Sequence, residues 1–175
     1  MGIFVVDVEA DGPCPPLYSM VSFGAVLLTE DLTTTFYGEV MPISPHYKQE
    51  ALAISGVSRD QHLTFDSPES TIADFAEWIE SVNQRGRPVF MSDNPAFDWQ
   101  WSNYYFHAFY DKNPFGHSAR RIGDLFSGME RDFFYGWKKH RKTKHDHNPV
   151  NDAKGNAEAL LYLKKKGLNI PVIRR

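Results

Sequence analysis

Runs and alternations of apolar residues mark out the elements of this chain. Ile3-Phe4-Val5-Val6 is an unbroken β-branched and aromatic run and predicts a strand buried on both faces. It continues into Asp7-Val8-Glu9, where period-two geometry puts the two carboxylates on one side and Val6 and Val8 on the other. Residues 20–28 and 33–40 predict a second and a third strand, joined as a hairpin by the polar segment 29–32. Pro42-Ile43-Ser44-Pro45 breaks the sheet, and residues 49–54 predict a short helix ended by Gly56. Ser67-Pro68 supplies an N-cap with proline in the first turn, and Ile72, Phe75, Ala76, Ile79 and Val82 follow at helical spacing. Residues 88–91 predict a fourth strand. Ser92-Asp93-Asn94-Pro95 then opens a helix with Phe97, Trp101, Tyr104, Tyr105 and Ala108 as its inward stripe.

Residues 119–122 predict a fifth strand, with Asp124 capping a short helix that starts near Leu125. Residues 135–147 are basic and poor in core formers, and predict an exposed loop. The last helix starts near Asn151 and turns Ala153, Ala157, Leu160 and Leu161 inward. It ends at Lys164-Lys165-Lys166-Gly167, where cations and a glycine suit the helix terminus. Strands first, then strands alternating with helices, imply an α/β fold with a mixed sheet. No repeat or linker divides the 175 residues, so a single domain over 1–175 is expected.

Composition narrows the class. The aromatic and aliphatic content suits a globular core. No apolar run is long enough to span a bilayer, and the chain opens on a charged strand rather than a secretion signal. Cys14 is the single cysteine, so an internal disulfide is excluded and a cytoplasmic, reducing setting is expected. A net charge of -3 argues against a protein that coats nucleic acid non-specifically, though not against a local basic path.

The candidate chemistry begins with Asp7 and Glu9. On their own they read as the end of a strand before the loop Asp11-Gly12-Pro13, although like charges held together at a core edge persist most easily around a divalent cation. In Asn94-Pro95-Ala96-Phe97-Asp98, Asn94 is a good N-cap and Asp98 falls in the first helical turn. His147 lies just before the last helix and Asp152 in its first turn, close enough for imidazole and carboxylate to share one pocket. Singly, Asp98 and Asp152 are each accounted for by a helix dipole, and His147 by a polar loop. Together, their order and spacing resemble the DEDDh subfamily of DnaQ-like 3'-5' exonucleases, with Asp7-Val8-Glu9 as the first motif, Asn94 with Asp98 as the second and His147 with Asp152 as the third. The likeness extends to Phe23-Gly24-Ala25-Val26, to residues 49–58 and to Asp124, and so covers nearly the whole chain. Two places depart from it. Ser22-Phe23-Gly24 lacks the glutamate many relatives carry, and Ala10-Asp11 stands where they often have two threonines, beside the expected terminal nucleotide.

The resemblance implies an RNase H-like fold with a central mixed five-stranded sheet flanked by helices. It implies metal-dependent release of nucleoside 5'-monophosphates from a 3' end. Asp7, Glu9, Asp98 and Asp152 would hold two Mg²⁺ or Mn²⁺ ions, which suit hard oxygen ligands, and His147 would act as general base. Asn94, Ala10 and Asp11 would lie against the substrate, and Lys138, Lys139, Arg141, Lys142 and Lys144 would track its phosphates, with Phe134, Tyr135 or Trp137 available for stacking. The expected partner is nucleic acid with a free 3' end, as single-stranded DNA or RNA or as a duplex end, with DNA slightly favoured; a homodimer is compatible. The rival readings are an exoribonuclease or short-oligonucleotide-degrading enzyme and, from another class, a catalytically idle nucleic-acid-binding module. Four clustered carboxylates facing a polyanion argue against a mere binder.

Overall fold

The computed structural model describes residues 1–173. Five strands form one sheet: β1 (Ile3–Ala10), β2 (Met20–Leu27), β3 (Thr35–Glu39), β4 (Val89–Ser92) and β5 (Ala119–Arg121), in the order β3-β2-β1-β4-β5. The β1-β2 and β2-β3 pairs are antiparallel, whereas β1-β4 and β4-β5 are parallel, so the sheet is mixed and β1 lies at its centre. The helices are α1 (Gln49–Ile54), α2 (Arg59–His62), α3 (Pro68–Val82), α4 (Pro95–Phe109), α5 (Ile122–Glu130) and α6 (Pro149–Lys165).

Alternation along β1 divides the core into two layers. Phe4, Val6 and Val8 join Phe75, Phe90, Trp101, Tyr105 and Phe106 beneath α3 and α4. Ile3 and Val5 join Met91, Phe126, Ala153, Ala157 and Leu160 beneath α5 and α6. Asp7 and Glu9 continue the second parity, so the same pleat that buries Val5 aims both carboxylates at the start of α6. Gly24 pairs with Asp7 across the β1-β2 ladder. A Cβ there would stand 2.4 Å from the carbonyl carbon of Pro149 and the nitrogen of Val150, so only glycine lets the α6 backbone settle onto the sheet at this point.

Several elements differ from the sequence-based reading. A short helix, α2, follows Ser58, whose hydroxyl forms a reciprocal capping box with Gln61. α5 starts at Ile122, so Asp124 lies within its first turn instead of capping it. α6 starts at Pro149, because the Asn148 side chain accepts hydrogen bonds from the Val150 and Asn151 nitrogens at 3.1 and 3.2 Å. Ala108 is exposed, and Phe106 fills the core in its place. The basic stretch is anchored rather than loose. Trp137–His140 form a 3-10 turn, Trp137 is buried, and His140 stacks on Tyr162 with ring centroids 3.7 Å apart. Tyr135 packs against Phe126 in the same aromatic stack, whereas Phe134 is 89% exposed.

Candidate active site

At the carboxyl end of β1, oxygens of Asp7, Glu9 and Asp152 lie within 4.8 Å of one another. Asp98 approaches from the other layer, where proline in the first turn of α4 fixes the helix start and the Asp98 Oδ1 accepts the Val8 N–H at 3.2 Å. Bringing these acids together costs free energy. Burial, and then the charges of Asp98, Asp152 and Glu9, hold the Asp7 carboxyl well above the usual carboxylate range. Burial, reinforced by Asp152 and Asp98, pushes Glu9 up to about 7, and burial pushes Asp98 up to about 7. The Asp152 side chain is 1% exposed, yet neither of its oxygens accepts a hydrogen bond. A buried carboxylate that accepts no hydrogen bond, beside two further acids, offers the oxygen ligands of a hard divalent cation, so the residues fit such an ion.

His147 lies at the rim, 45% exposed, with Nδ1 3.6 Å from Glu9 Oε1. Its backbone is in the left-handed region at φ 60°, an unusual conformation for a side chain other than glycine. That turn is held by Asp146, which accepts from the Asn148 nitrogen at 3.0 Å and from the Asn151 amide at 2.9 Å. The sequence reading paired His147 with Asp152. Ring nitrogens of His145 and His147 and an oxygen of Asp152 all lie within 4.8 Å of one another, so His147 does share a pocket with Asp152; His145 joins them, with Nδ1 2.7 Å from Asp152 Oδ2 and the two imidazole centroids 4.4 Å apart. His145 was missed because one of several histidines in a polar loop carries no spacing rule; its period-two relation to His147 was the available signal.

The expected substrate contacts fare unevenly. Asp11 is fully buried: it accepts the Ser19 N–H at 2.6 Å and pairs with Arg59 at 2.9 Å. Its carboxylate therefore braces the loop after β1 and does not reach a substrate. Ala10 points its methyl group into the core, leaving only its backbone toward the site. Asn94 is exposed and its side chain caps nothing; its carbonyl accepts the Asp98 N–H at 2.9 Å.

Nor do the five cations form one track. Lys138 pairs with Asp93 at 2.5 Å, and Arg141, 9% exposed, bonds Asn156 and lies 3.5 Å from the same Asp93. Arg141 is near enough to Asp7 to oppose part of the rise in its pKa. Lys139 lies over the Tyr135 ring at 4.2 Å. Lys142 and Lys144 are exposed, on a segment tied to α6 where Glu158 accepts the Lys142 and Thr143 N–H groups at 2.6 and 2.8 Å. Asp93 and Asn156, which organise these cations, carried no motif in the sequence.

Among the described residues, no helix is long and apolar enough to cross a membrane. No protein-family model matches the chain. The 3'-5' DNA exonuclease Cap18 of Escherichia coli is 34% identical over 176 residues, covering 93% of this chain and 92% of that protein. The nuclease domain of 3'hExo, a DEDDh family member bound to rAMP, superposes with a TM-score of 0.78 at 16% identity, over 98% of this chain and 96% of that one. Exonuclease I of E. coli in complex with a dT13 oligonucleotide superposes at 0.70 and 15% identity, over 94% of this chain and 41% of that one. The fold is thus the RNase H-like fold of these nucleases, with the acids gathered at the carboxyl end of its central strand. The chain belongs to the DnaQ-like 3'-5' exonucleases of DEDDh type.

Proposed function

We propose that residues 1–175 act as one exonuclease domain that removes nucleoside 5'-monophosphates successively from the 3' end of DNA. The observation that carries this reading is the meeting of Asp7, Glu9 and Asp152, with both Asp152 oxygens buried and neither accepting a hydrogen bond. Asp7, Glu9 and Asp152 would hold two Mg²⁺ or Mn²⁺ ions, with Asp98 completing the set from α4. Two such ions supply an activated water and stabilise the charge developing on the leaving 3' oxygen. His147 takes the proton from the attacking water. The ring's rim position leaves it open to solvent, and its approach to Glu9 holds it over the carboxylates. Arg141, bound to Asn156 and close to Asp93, brings a positive charge near Asp7 that is available to a phosphate.

DNA as substrate is supported by the name of the 34%-identical relative. The rAMP held by the 3'hExo nuclease domain favours a second reading, an exoribonuclease or short-oligonucleotide-degrading enzyme using the same residues.

The test uses 5'-labelled DNA and RNA of matching sequence, each as single strand and duplex, with Mg²⁺ or Mn²⁺. The expected result is a ladder of shortened labelled strands with nucleoside 5'-monophosphates released, faster on DNA. Cleavage of a circular strand at the rate of a linear one would show that no free 3' end is needed, and would replace this reading with an endonuclease.

A further inference from the structure

We infer that His145, His147 and Asp152 form a second, nitrogen-rich metal position at the edge of the carboxylate cluster, one that takes a borderline divalent ion such as Zn²⁺ and thereby shuts the nuclease down. A ring nitrogen of each histidine and an oxygen of Asp152 lie within 4.8 Å of one another. His145 Nδ1 is 2.7 Å from Asp152 Oδ2, but off the line a ring N–H would need, so neither oxygen of this nine-tenths-buried carboxylate accepts a hydrogen bond. The donor Asp152 presents is therefore turned toward the two rings and is not consumed by them.

The two overlapping sites differ in chemistry. Asp7, Glu9 and Asp152 offer oxygen alone, which suits Mg²⁺ or Mn²⁺. Two imidazoles and one carboxylate form a mixed set of the kind that holds zinc with a fourth position left for water. A tetrahedral zinc site needs its nitrogen and oxygen ligands roughly 3.3 Å apart, given metal–ligand bonds of about 2.0–2.1 Å. His145 must therefore back away by about half an ångström. Its side chain is 53% exposed and has room to do so. The loop nevertheless holds both rings in place, because Glu158 clamps it before His145 and Asp146 clamps it after His147.

Asp152 belongs to both sets. An ion held by His145 and His147 draws Asp152 from Asp7 and Glu9 and occupies the nitrogen that would accept the proton. The binding site stands on geometry alone; the inhibition rests on the function proposed above. The two are tested separately, on untagged protein. Zinc binding is measured with the metal alone, by competition against a chromophoric chelator, and with Co²⁺ as a spectroscopic substitute whose visible absorption reports tetrahedral coordination. Wild type is expected to bind one equivalent in this way, and His145→Ala and His145→Asn to bind it at least tenfold more weakly while keeping the far-ultraviolet dichroism of wild type. Asp7→Asn should retain the site, because Asp7 is not among its ligands. Equal zinc affinity in wild type and both His145 variants overturns the site. Cleavage driven by Mg²⁺ should fall with micromolar Zn²⁺ in wild type and resist at least tenfold more in the His145 variants. Zinc bound through His145 without any loss of cleavage overturns the inhibition. Intact zinc binding in a protein that never cleaves nucleic acid with Mg²⁺ or Mn²⁺ refutes the proposed function and leaves the site standing.

Discussion

Asp7 concentrates the conflict at the heart of the site. It is held among three other acids, with its pKa raised by burial and by their charges, and Arg141 relieves only part of this. Asp7→Asn keeps the shape and removes the charge. It should reduce cleavage below about one-thousandth of wild type in a rate assay at saturating metal, while the metal-free variant melts no lower than wild type, since a repulsive charge has gone. Wild-type activity in Asp7→Asn would sink the metal-ligand assignment. His147→Ala should lower turnover roughly 10²–10⁴-fold, the usual cost of a lost general base, with metal affinity largely retained in calorimetry. An unchanged chemical step in single-turnover measurements would return His147 to the loop. Asp11 is the counter-example, an acid next to the motif that proved structural. Arg59 closes on it from 48 residues away, a contact that no local pattern encodes.

Among the elements, the junction of β2 with α6 decides whether the third motif meets the first. Gly24→Ala would force a methyl group into the Pro149–Val150 backbone, and backbone cannot move aside as a flexible side chain can. We expect a stability loss of about 1–3 kcal/mol, as for other overpacked sites. We also expect a rate loss near 10²-fold, since a displacement of about 1 Å at a catalytic group has that effect. Urea melts and kcat would report the two effects, and a variant with wild-type values of both would show that α6 is positioned otherwise. The basic stretch makes a different prediction now that its cations are seen to divide. Lys138 and Arg141 are engaged by Asp93, whereas Lys142 and Lys144 are exposed. Neutralising Lys142 and Lys144 should flatten the salt dependence of single-strand binding, measured with the Asp7→Asn protein, by at most about 1.4 in log–log slope. No change in slope would mean that the strand enters over another face.

For the whole molecule, the raised acids tie stability to pH. The folded protein binds more protons than the unfolded chain wherever a carboxyl has its pKa raised, so stability falls as pH rises. Glu9 and Asp98, both shifted to about 7 in the absence of metal, stabilise fully below about pH 4, and that contribution is lost as pH climbs through about 7. His62 acts in the opposite sense. Burial lowers its pKa, so its contribution is present above about 6.5 and is lost as pH falls. Comparing wild type with Asp7→Asn cancels His62. The metal-free wild type should lose about 2–4 °C or more of Tm relative to Asp7→Asn between pH 5 and pH 8, and saturating Mg²⁺ or Mn²⁺ should restore it. Parallel pH profiles of the two proteins without metal would mean that the acids are not coupled as their geometry indicates.

The local patterns carried most of the architecture. Strand β1, the β2-β3 hairpin, the start of α3 at Ser67-Pro68 and the bounds of α1 follow from periodicity and capping chemistry within a few residues of one another. The same holds for placing Asp7 with Glu9 on one face, and for setting Asp98 and Asp152 in the first turns of their helices. Which acids meet, and with what neighbours, is a matter of contacts between distant segments, and no local rule encodes those. Tertiary structure alone put Gly24 beneath Pro149, closed Arg59 over Asp11, drew Lys138 and Arg141 to Asp93, and brought His145 beside His147 against Asp152. Periodicity reports which way a side chain points from its own strand or helix. The partner it meets depends on how the layers stack, and that is settled by packing over the entire sheet.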